Sequence, residues 1–205
     1  KALSTSLVIA CMTVALSLVL AIPAGYALSK RKLPLRSLFL LFFLLPQAFP
    51  TVAVHMNIAR IFYGLGLTGT IWGVMLVHAI QGLVFAVWIA SAAFAAIGEE
   101  QVEAARNLGA TPLRAFMTVS LPLAAPGLMA SAIFVFLISL DEFSGTFFVG
   151  VPDVRTLPLT MLNAALEGNY QIASITALLL LVPSILFMLF VERFLKADVL
   201  ASVGK

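Results

Sequence analysis

The chain has 205 residues, of which 62% are hydrophobic and only 10% are charged, and its formal net charge is +3. Because a soluble domain usually carries about 25% charged residues, this composition excludes a soluble protein and indicates an integral membrane protein. The twelve Lys and Arg residues form no dense patch with aromatic side chains between them, so the basic balance does not indicate nucleic-acid binding.

Five apolar segments predict an all-α membrane protein. A helix that spans the bilayer needs roughly 20 mostly apolar residues. Segments of that length lie at about 3–28, 37–62, 70–97, 123–149 and 172–194. We therefore predict a bundle of five transmembrane helices that forms one domain over residues 1–205. Since the chain starts without Met and enters its first segment almost at once, we expect an N-terminally truncated fragment with six spans in the full-length protein.

The second segment contains Pro46 and Pro50, four residues apart. Proline lacks a backbone N–H and kinks a helix, so we predict a bend in this segment. The bend fits a packing kink, which we favour, or a hinge for gating. The connection that follows, residues 64–69, matches G-x-G-x-x-G. A dinucleotide site would need a preceding strand, so we predict a tight turn there instead.

Basic residues concentrate on one side of the predicted bundle. Nine of the twelve lie in the first and third connections or after the fifth segment, and only Lys1, Arg60 and Arg155 lie near the other side. Cytoplasmic loops carry an excess of Lys and Arg. The nine-residue side is therefore predicted to be cytoplasmic, and Lys1 lies outside.

The third connection, residues 98–122, is polar, whereas the segments on both sides of it are apolar. It contains several residues that typically start or end helices. Residues 99–108 are mostly good helix formers. Gly109 follows them like a residue that ends a helix in the left-handed conformation. Thr111 and Pro112 then form a typical helix start, as a capping residue and a first-turn proline. We predict a helix-turn-helix on the cytoplasmic surface, in which Glu103 and Arg106 are close enough to pair.

This connection also carries a longer pattern: E-A-A, three residues, G, nine residues, then V-S-L-P. The pattern resembles the cytoplasmic coupling loop of ABC importer permeases, with Val119 where Ile is usual. The resemblance implies that residues 98–122 dock onto a cytoplasmic ATPase subunit. The residues it implicates in coupling are Glu103, Ala104, Ala105, Arg106, Gly109, Leu121 and Pro122.

The resemblance also implies a set of partners. Two ATPase subunits, a second permease subunit that is identical or similar, and an extracytoplasmic solute-binding protein would assemble with this chain in a bacterial inner membrane. The chain itself has no G-x-x-x-x-G-K-[ST] phosphate loop. We therefore expect no cofactor in this chain, with ATP bound by the partner subunit.

The fourth segment contains two adjacent acids, Asp141 and Glu142, with Ser144 close by. An ionisable group inside a span costs roughly 3 kcal/mol even on the lenient insertion scale, so such groups face a bundle interior or water. We predict that these three residues line the translocation pathway. The alternative is a structural ion pair, for example with Arg60.

Two histidines, His55 and His78, lie in the second and third segments. We expect them to form hydrogen bonds between helices. A proton relay is the less favoured alternative.

The solute is less well indicated than the class of protein. The stretches S-L-D-E-F from Ser139 and T-L-P-L from Thr156 are similar to the polyamine-type branch of these permeases, which also includes carriers of phosphonates and ferric iron. The first alternative function is an ion- or proton-coupled secondary transporter, but such proteins often carry inverted repeats, and we find none. The second is an intramembrane enzyme, for which no nucleophile–base pair or metal set is visible.

Overall fold

The computed structural model describes residues 1–30 and 35–203, which are helical almost throughout and contain no β-strand in these ranges. The helices are α1 (Ala2–Lys30), α2 (Arg36–Leu44), α3 (Thr51–Gly64), α4 (Ile71–Ala95), α5 (Glu99–Asn107), α6 (Pro112–Ala115), α7 (Leu121–Asp141), α8 (Ser144–Gly150), α9 (Leu157–Leu166) and α10 (Tyr170–Val203). A 3₁₀ turn, Leu45–Ala48, follows α2, and a π-helical turn, Phe116–Ser120, joins α6 to α7. The all-helical fold class is confirmed.

Three stretches are long and apolar enough to cross a membrane: α1, α4, and the continuous run Pro112–Asp141 that contains α6 and α7. The bent pair of α2 and α3 counts as a fourth if it is one span. The fifth predicted segment coincides with α10, in which the described apolar part is Tyr170–Leu186. The count of five spans therefore stays a prediction. Of the basic residues that predict the topology, Arg31, Lys32 and Lys205 lie outside the described residues.

The second predicted segment is bent by 93° between α2 and α3. Proline forces the residue before it into an extended conformation. Phe49, which precedes Pro50, has ψ 151° and interrupts the helix. The predicted bend is confirmed. The turn after α3 is also tight, because Gly66 and Gly69 both have positive φ angles, 67° and 73°.

The fourth predicted segment is not one continuous helix, and that prediction is wrong. Helix α7 ends at Asp141, and α8 begins at Ser144. Between them Glu142 is extended, with ψ 119°. Its side chain accepts hydrogen bonds from the backbone N–H groups of Gly145 and Thr146. Since these groups open the new helix, the carboxylate replaces the carbonyls that a continuous helix would supply.

The centre of the fold is the packing of α4 against α1 and α7, where small residues let the backbones approach closely. A Cβ atom added at Gly25 of α1 would lie 2.8 Å from the Cβ of Ala90 in α4. A Cβ atom at Gly127 of α7 would lie 2.5 Å from the Cβ of Ala93 in α4. Small residues at helix contacts are typical of membrane proteins, since lipid provides no hydrophobic drive for association.

Replacing Gly25 with Ala is therefore expected to destabilise the fold by about 1–3 kcal/mol, because the added methyl group overpacks the contact with α4. Thermal unfolding of the detergent-solubilised protein measures the effect. The matched control is Gly64→Ala, where a Cβ atom meets nothing within 4 Å. Equal melting temperatures for the two variants would contradict the close approach of α1 and α4.

Candidate functional site

The break between α7 and α8 buries one of the two adjacent acids and exposes the other. Glu142 is only 7% exposed, whereas Asp141 lies on the surface. The Glu142 carboxylate accepts hydrogen bonds from the N–H groups of Gly145 (2.8 Å) and Thr146 (3.2 Å) and from the Ser144 hydroxyl (2.9 Å). It thus caps the N-terminus of α8, where a negative charge is favoured by the helix dipole.

A histidine from α3 contacts this cap on one side. His55 is fully buried, and its Nδ1 lies 2.7 Å from the Ser144 Oγ and 3.3 Å from the Glu142 Oε1. Its Nε2 is buried and has no hydrogen-bond partner in the described part of the chain. His55 therefore joins α3 to α8 through polar contacts at one ring nitrogen.

A second histidine, from α4, contacts the cap on the other side. The Nε2 of His78 lies 2.9 Å from the Thr146 Oγ1 and 3.3 Å from the Glu142 Oε2. Its Nδ1 lies 2.8 Å from the Ser139 Oγ, and Ser139 in turn donates to the Thr13 hydroxyl of α1 at 3.4 Å. The predicted hydrogen bonds between helices are confirmed for both histidines. Sequence reasoning had not connected either histidine with Glu142.

Arg60 is not the partner of these acids. It lies on the surface of α3 and forms no ion pair with Asp141 or Glu142 within residues 1–30 and 35–203. The proposed ion pair with Arg60 is therefore wrong, because the two histidines occupy the positions around the Glu142 carboxylate.

An open groove of about 350 Å³ lies beside the cap. Its lining residues are Gln81, Ile138, Asp141, Glu142, Phe143 and Ser144. All three residues predicted for the pathway therefore meet at one groove. The oxygens of Glu142 are already engaged by the cap, whereas Asp141 has no hydrogen bond or ion pair among the described residues. Asp141 is thus the carboxylate that remains free to face an occupant of the groove.

Residues 98–122 form the second candidate region. Helix α5 is terminated by Gly109, two residues after its last helical residue. Gly109 has φ 89°, a left-handed conformation that only glycine adopts at little energetic cost. The N–H of Gly109 donates to the Arg106 carbonyl (2.9 Å), and the N–H of Ala110 donates to the Ala105 carbonyl (3.1 Å). These two bonds are those of a Schellman motif, so the turn is closed and rigid. The Thr111 hydroxyl then accepts from the N–H of Arg114 and caps α6.

The surface of this loop is accessible to a partner. Glu103, Ala104 and Gly109 are exposed, and Ala105 is half-buried. Leu108, beside the turn, is 89% exposed. Of the two residues that end the sequence pattern, Leu121 packs against the core and Pro122 is exposed.

The loop lies against the C-terminal end of α1. Glu103 and Arg106 form no ion pair with each other among the described residues; both line a groove of about 270 Å³ with Tyr26 and Lys30 of α1. The Lys30 ammonium group donates to the Ile97 carbonyl just before α5.

Aromatic rings pack together where the loop meets α1 and α4. Tyr26 packs edge-on against Phe94 and Phe116, with ring centroids 5.4 and 4.7 Å apart. Since Phe116 opens the π-helical turn, this turn packs against the last part of α1.

Comparison with known proteins identifies the family. The family described as "Binding-protein-dependent transport system inner membrane component" matches residues 17–197. The putative ABC transporter permease protein ORF1 of Streptomyces antibioticus is 30% identical over 98% of this chain and 89% of its own length. The trehalose transport system permease protein SugB of Mycobacterium tuberculosis is 29% identical over 100% of this chain and 77% of its own length.

A shorter match and a solved structure add to these two. The putative 2-aminoethylphosphonate transport system permease protein PhnU of Salmonella typhi is 42% identical over 46% of this chain and 33% of its own length. The fold is similar to a chain of the MetNI methionine ABC transporter in an inward-facing conformation, with a TM-score of 0.71 and 18% identity. That match covers 96% of this chain and 94% of the other, and at this identity it shows the fold alone.

Replacing Glu142 with Ala is expected to lower the free energy of unfolding by about 1–3 kcal/mol, because the buried N–H groups that open α8 would lose their acceptor. Both histidines would keep their hydroxyl partners but would lose their contact with the carboxylate. The control is Asp141→Ala, where the exposed position predicts a change within about 0.5 kcal/mol. Similar unfolding midpoints for the two variants in detergent would contradict the assignment of Glu142 as the cap.

Proposed function

Because the chain belongs to the binding-protein-dependent transport inner membrane components, the permease subunits of ABC importers, we propose that residues 98–122 couple it to the ATPase and that the groove beside Glu142 is part of its solute pathway. The chain is a non-catalytic inner-membrane permease subunit, and ATP is hydrolysed in a separate subunit. ATPase subunits, a binding protein and a second permease are partners of this family. Whether the second permease is identical or merely similar is left open.

The loop geometry supports the coupling role. The loop can transmit a displacement as one body only if α5 and α6 keep a fixed relative orientation. The Schellman turn at Gly109 and the Thr111 cap fix the connection between these two helices. The small side chains of Ala104 and Ala105 allow close approach of a partner. Leu121, the first residue of α7, then packs the end of the loop against the core. We propose that this loop is cytoplasmic and that Glu103, Ala104, Ala105, Arg106, Gly109, Leu121 and Pro122 make or shape the ATPase contact.

The groove geometry supports the pathway role. It is open, and its lining combines the polar residues Gln81, Asp141 and Ser144 with the apolar residues Ile138 and Phe143. The observation that carries the proposal is the free Asp141 carboxylate at the end of a helical run that is apolar enough to cross a membrane, because an unpaired charge there requires water or a solute.

We further propose a small solute with a protonated amino group, as in a polyamine-like or aminophosphonate compound. The one free charge of the groove is negative, and the Gln81 amide and Ser144 hydroxyl offer neutral hydrogen-bonding groups beside it. The relatives PhnU and PhnV are named for 2-aminoethylphosphonate transport, and SugB for trehalose transport. A binding protein would deliver the solute, and five spans of this chain would line one half of the pathway.

Replacing Gly109 with Glu is expected to uncouple transport, because the left-handed turn costs a side-chain residue about 1–2 kcal/mol and the new charge enters the contact surface. ATP-driven uptake into proteoliposomes should fall while the permease still inserts. Gly168→Glu is the matched control, since Gly168 has φ 76° with open space around it but ends α9 instead. Equal uptake by the two variants would argue against the coupling role.

Replacing Asp141 with Asn is expected to reduce uptake of an amine-bearing solute about tenfold, equivalent to about 1.4 kcal/mol of lost interaction. Co-purification of the ATPase should be unchanged. Glu167→Gln, the same loss of charge at an exposed residue after α9, is the control. Normal uptake by Asp141→Asn would remove this residue from the pathway, and lost assembly would favour a structural role.

A further inference from the structure

We propose that Tyr26 is a positioning residue for docking of the ATPase, because its ring holds the base of the loop 98–122 at a fixed place on the membrane helices. The inference rests on the coupling role proposed for that loop. Tyr26 belongs to α1, far before the loop in the chain, and lies outside the E-A-A pattern.

Three aromatic rings meet where the loop joins the bundle. Tyr26 packs edge-on against Phe94, near the end of α4, and against Phe116, the first residue of the π-helical turn. Phe94 and Phe116 also contact each other, with ring centroids 6.0 Å apart. Because aromatic pairs prefer a definite separation and angle, these rings fix where the turn lies relative to both α1 and α4.

The π-helical turn, Phe116–Ser120, is the part of the loop that needs such support. A helix rarely adopts π geometry, so tertiary contacts have to favour it over the α-helical alternative. The rings of Tyr26 and Phe94 hold the first residue of the turn, and its last residue, Ser120, is fully buried. The turn is therefore held at both ends, and Tyr26 provides the contact from α1.

Helix α5, which carries the proposed docking surface, depends on this turn for its position. Within the loop, α5 packs against the π-helical turn and against α6. Toward α1 it is less closely packed, because an open groove lies there between Tyr26 and Lys30 of α1 and Glu103 and Arg106 of α5. Val102 adds an apolar contact with the core. A shift of the turn would therefore shift the surface that α5 offers to the ATPase.

Without the Tyr26 ring, the turn would lose its contact with α1, and the loop would hold its docking position for only part of the time. The apparent Kd of a partner rises in inverse proportion to the fraction of molecules that are competent to bind it. Loss of the ring should therefore weaken ATPase binding even where the fold survives.

The test measures the apparent Kd of the purified ATPase for the permease, which is held together with its second permease in lipid nanodiscs. Tyr26→Leu is expected to weaken binding about fivefold, in proportion to the aromatic contacts that it removes. Tyr26→Phe keeps the ring that makes these contacts and should bind the ATPase as the parent does.

Phe85→Leu is the matched control for a general loss of stability. Phe85, in the middle of α4, packs edge-on against Phe134 of α7, with ring centroids 5.2 Å apart, and it is half-buried like Tyr26. Both Leu variants should lower the melting temperature, whereas only Tyr26→Leu should weaken ATPase binding.

Parent-like affinity of Tyr26→Leu, or equal weakening by Phe85→Leu, would overturn the positioning role. Should Tyr26→Leu fail to assemble on gel filtration, Tyr26→Met replaces it, because a flexible apolar side chain fills the space without a ring. The same two outcomes then decide.

Gly109→Glu in the same assay separates this inference from the coupling role on which it rests. Weak binding by Gly109→Glu together with parent-like binding by Tyr26→Leu would refute the role of Tyr26 alone. Parent-like binding by Gly109→Glu would count against docking at the loop itself.

Discussion

The structure depends on how one negative charge is buried. The Glu142 carboxylate lies inside an apolar bundle, where an unsatisfied charge is very unfavourable. The chain satisfies it by ending α7 and turning the free N–H groups of a new helix toward it, with His55 and His78 on either side. The short helix α8, the contact of α3 with the bundle and the polar line from α4 to Thr13 of α1 all follow from this arrangement.

Two adjacent acids consequently have different roles. Because the chain turns at Glu142, this side chain points into the bundle, where its oxygens accept the hydrogen bonds of the cap. Asp141 remains at the surface of the groove. In a permease, a pathway needs polar groups that can release what they bind, and a residue held by several hydrogen bonds cannot do so. The split also explains why a groove can open next to a charged residue without exposing the whole cluster to lipid.

Local sequence signals predicted local structure well. The end of α5 at Gly109 and the start of α6 at Thr111 need only neighbouring residues, so the sequence was sufficient for both. The break at Glu142 was missed, because the segment is apolar on average despite its two acids and the cap depends on His55 and His78, which lie far away along the chain. Hydropathy likewise could not show that the one fully buried side chain of α3 is the polar His55, with Ile58, Ala59 and Phe62 packed against the core beside it.

The π-helical turn Phe116–Ser120 determines how far α7 is rotated about its own axis relative to the loop. Each hydrogen bond in a π turn spans one residue more than in an α-helix, and one residue corresponds to about 100° of rotation. The face that α7 presents to the groove is thus fixed, relative to the proposed docking face of α5, by these five residues. Relaxing that turn to α geometry would rotate α7 about its axis relative to α5, and the direction in which Asp141 faces would change with it.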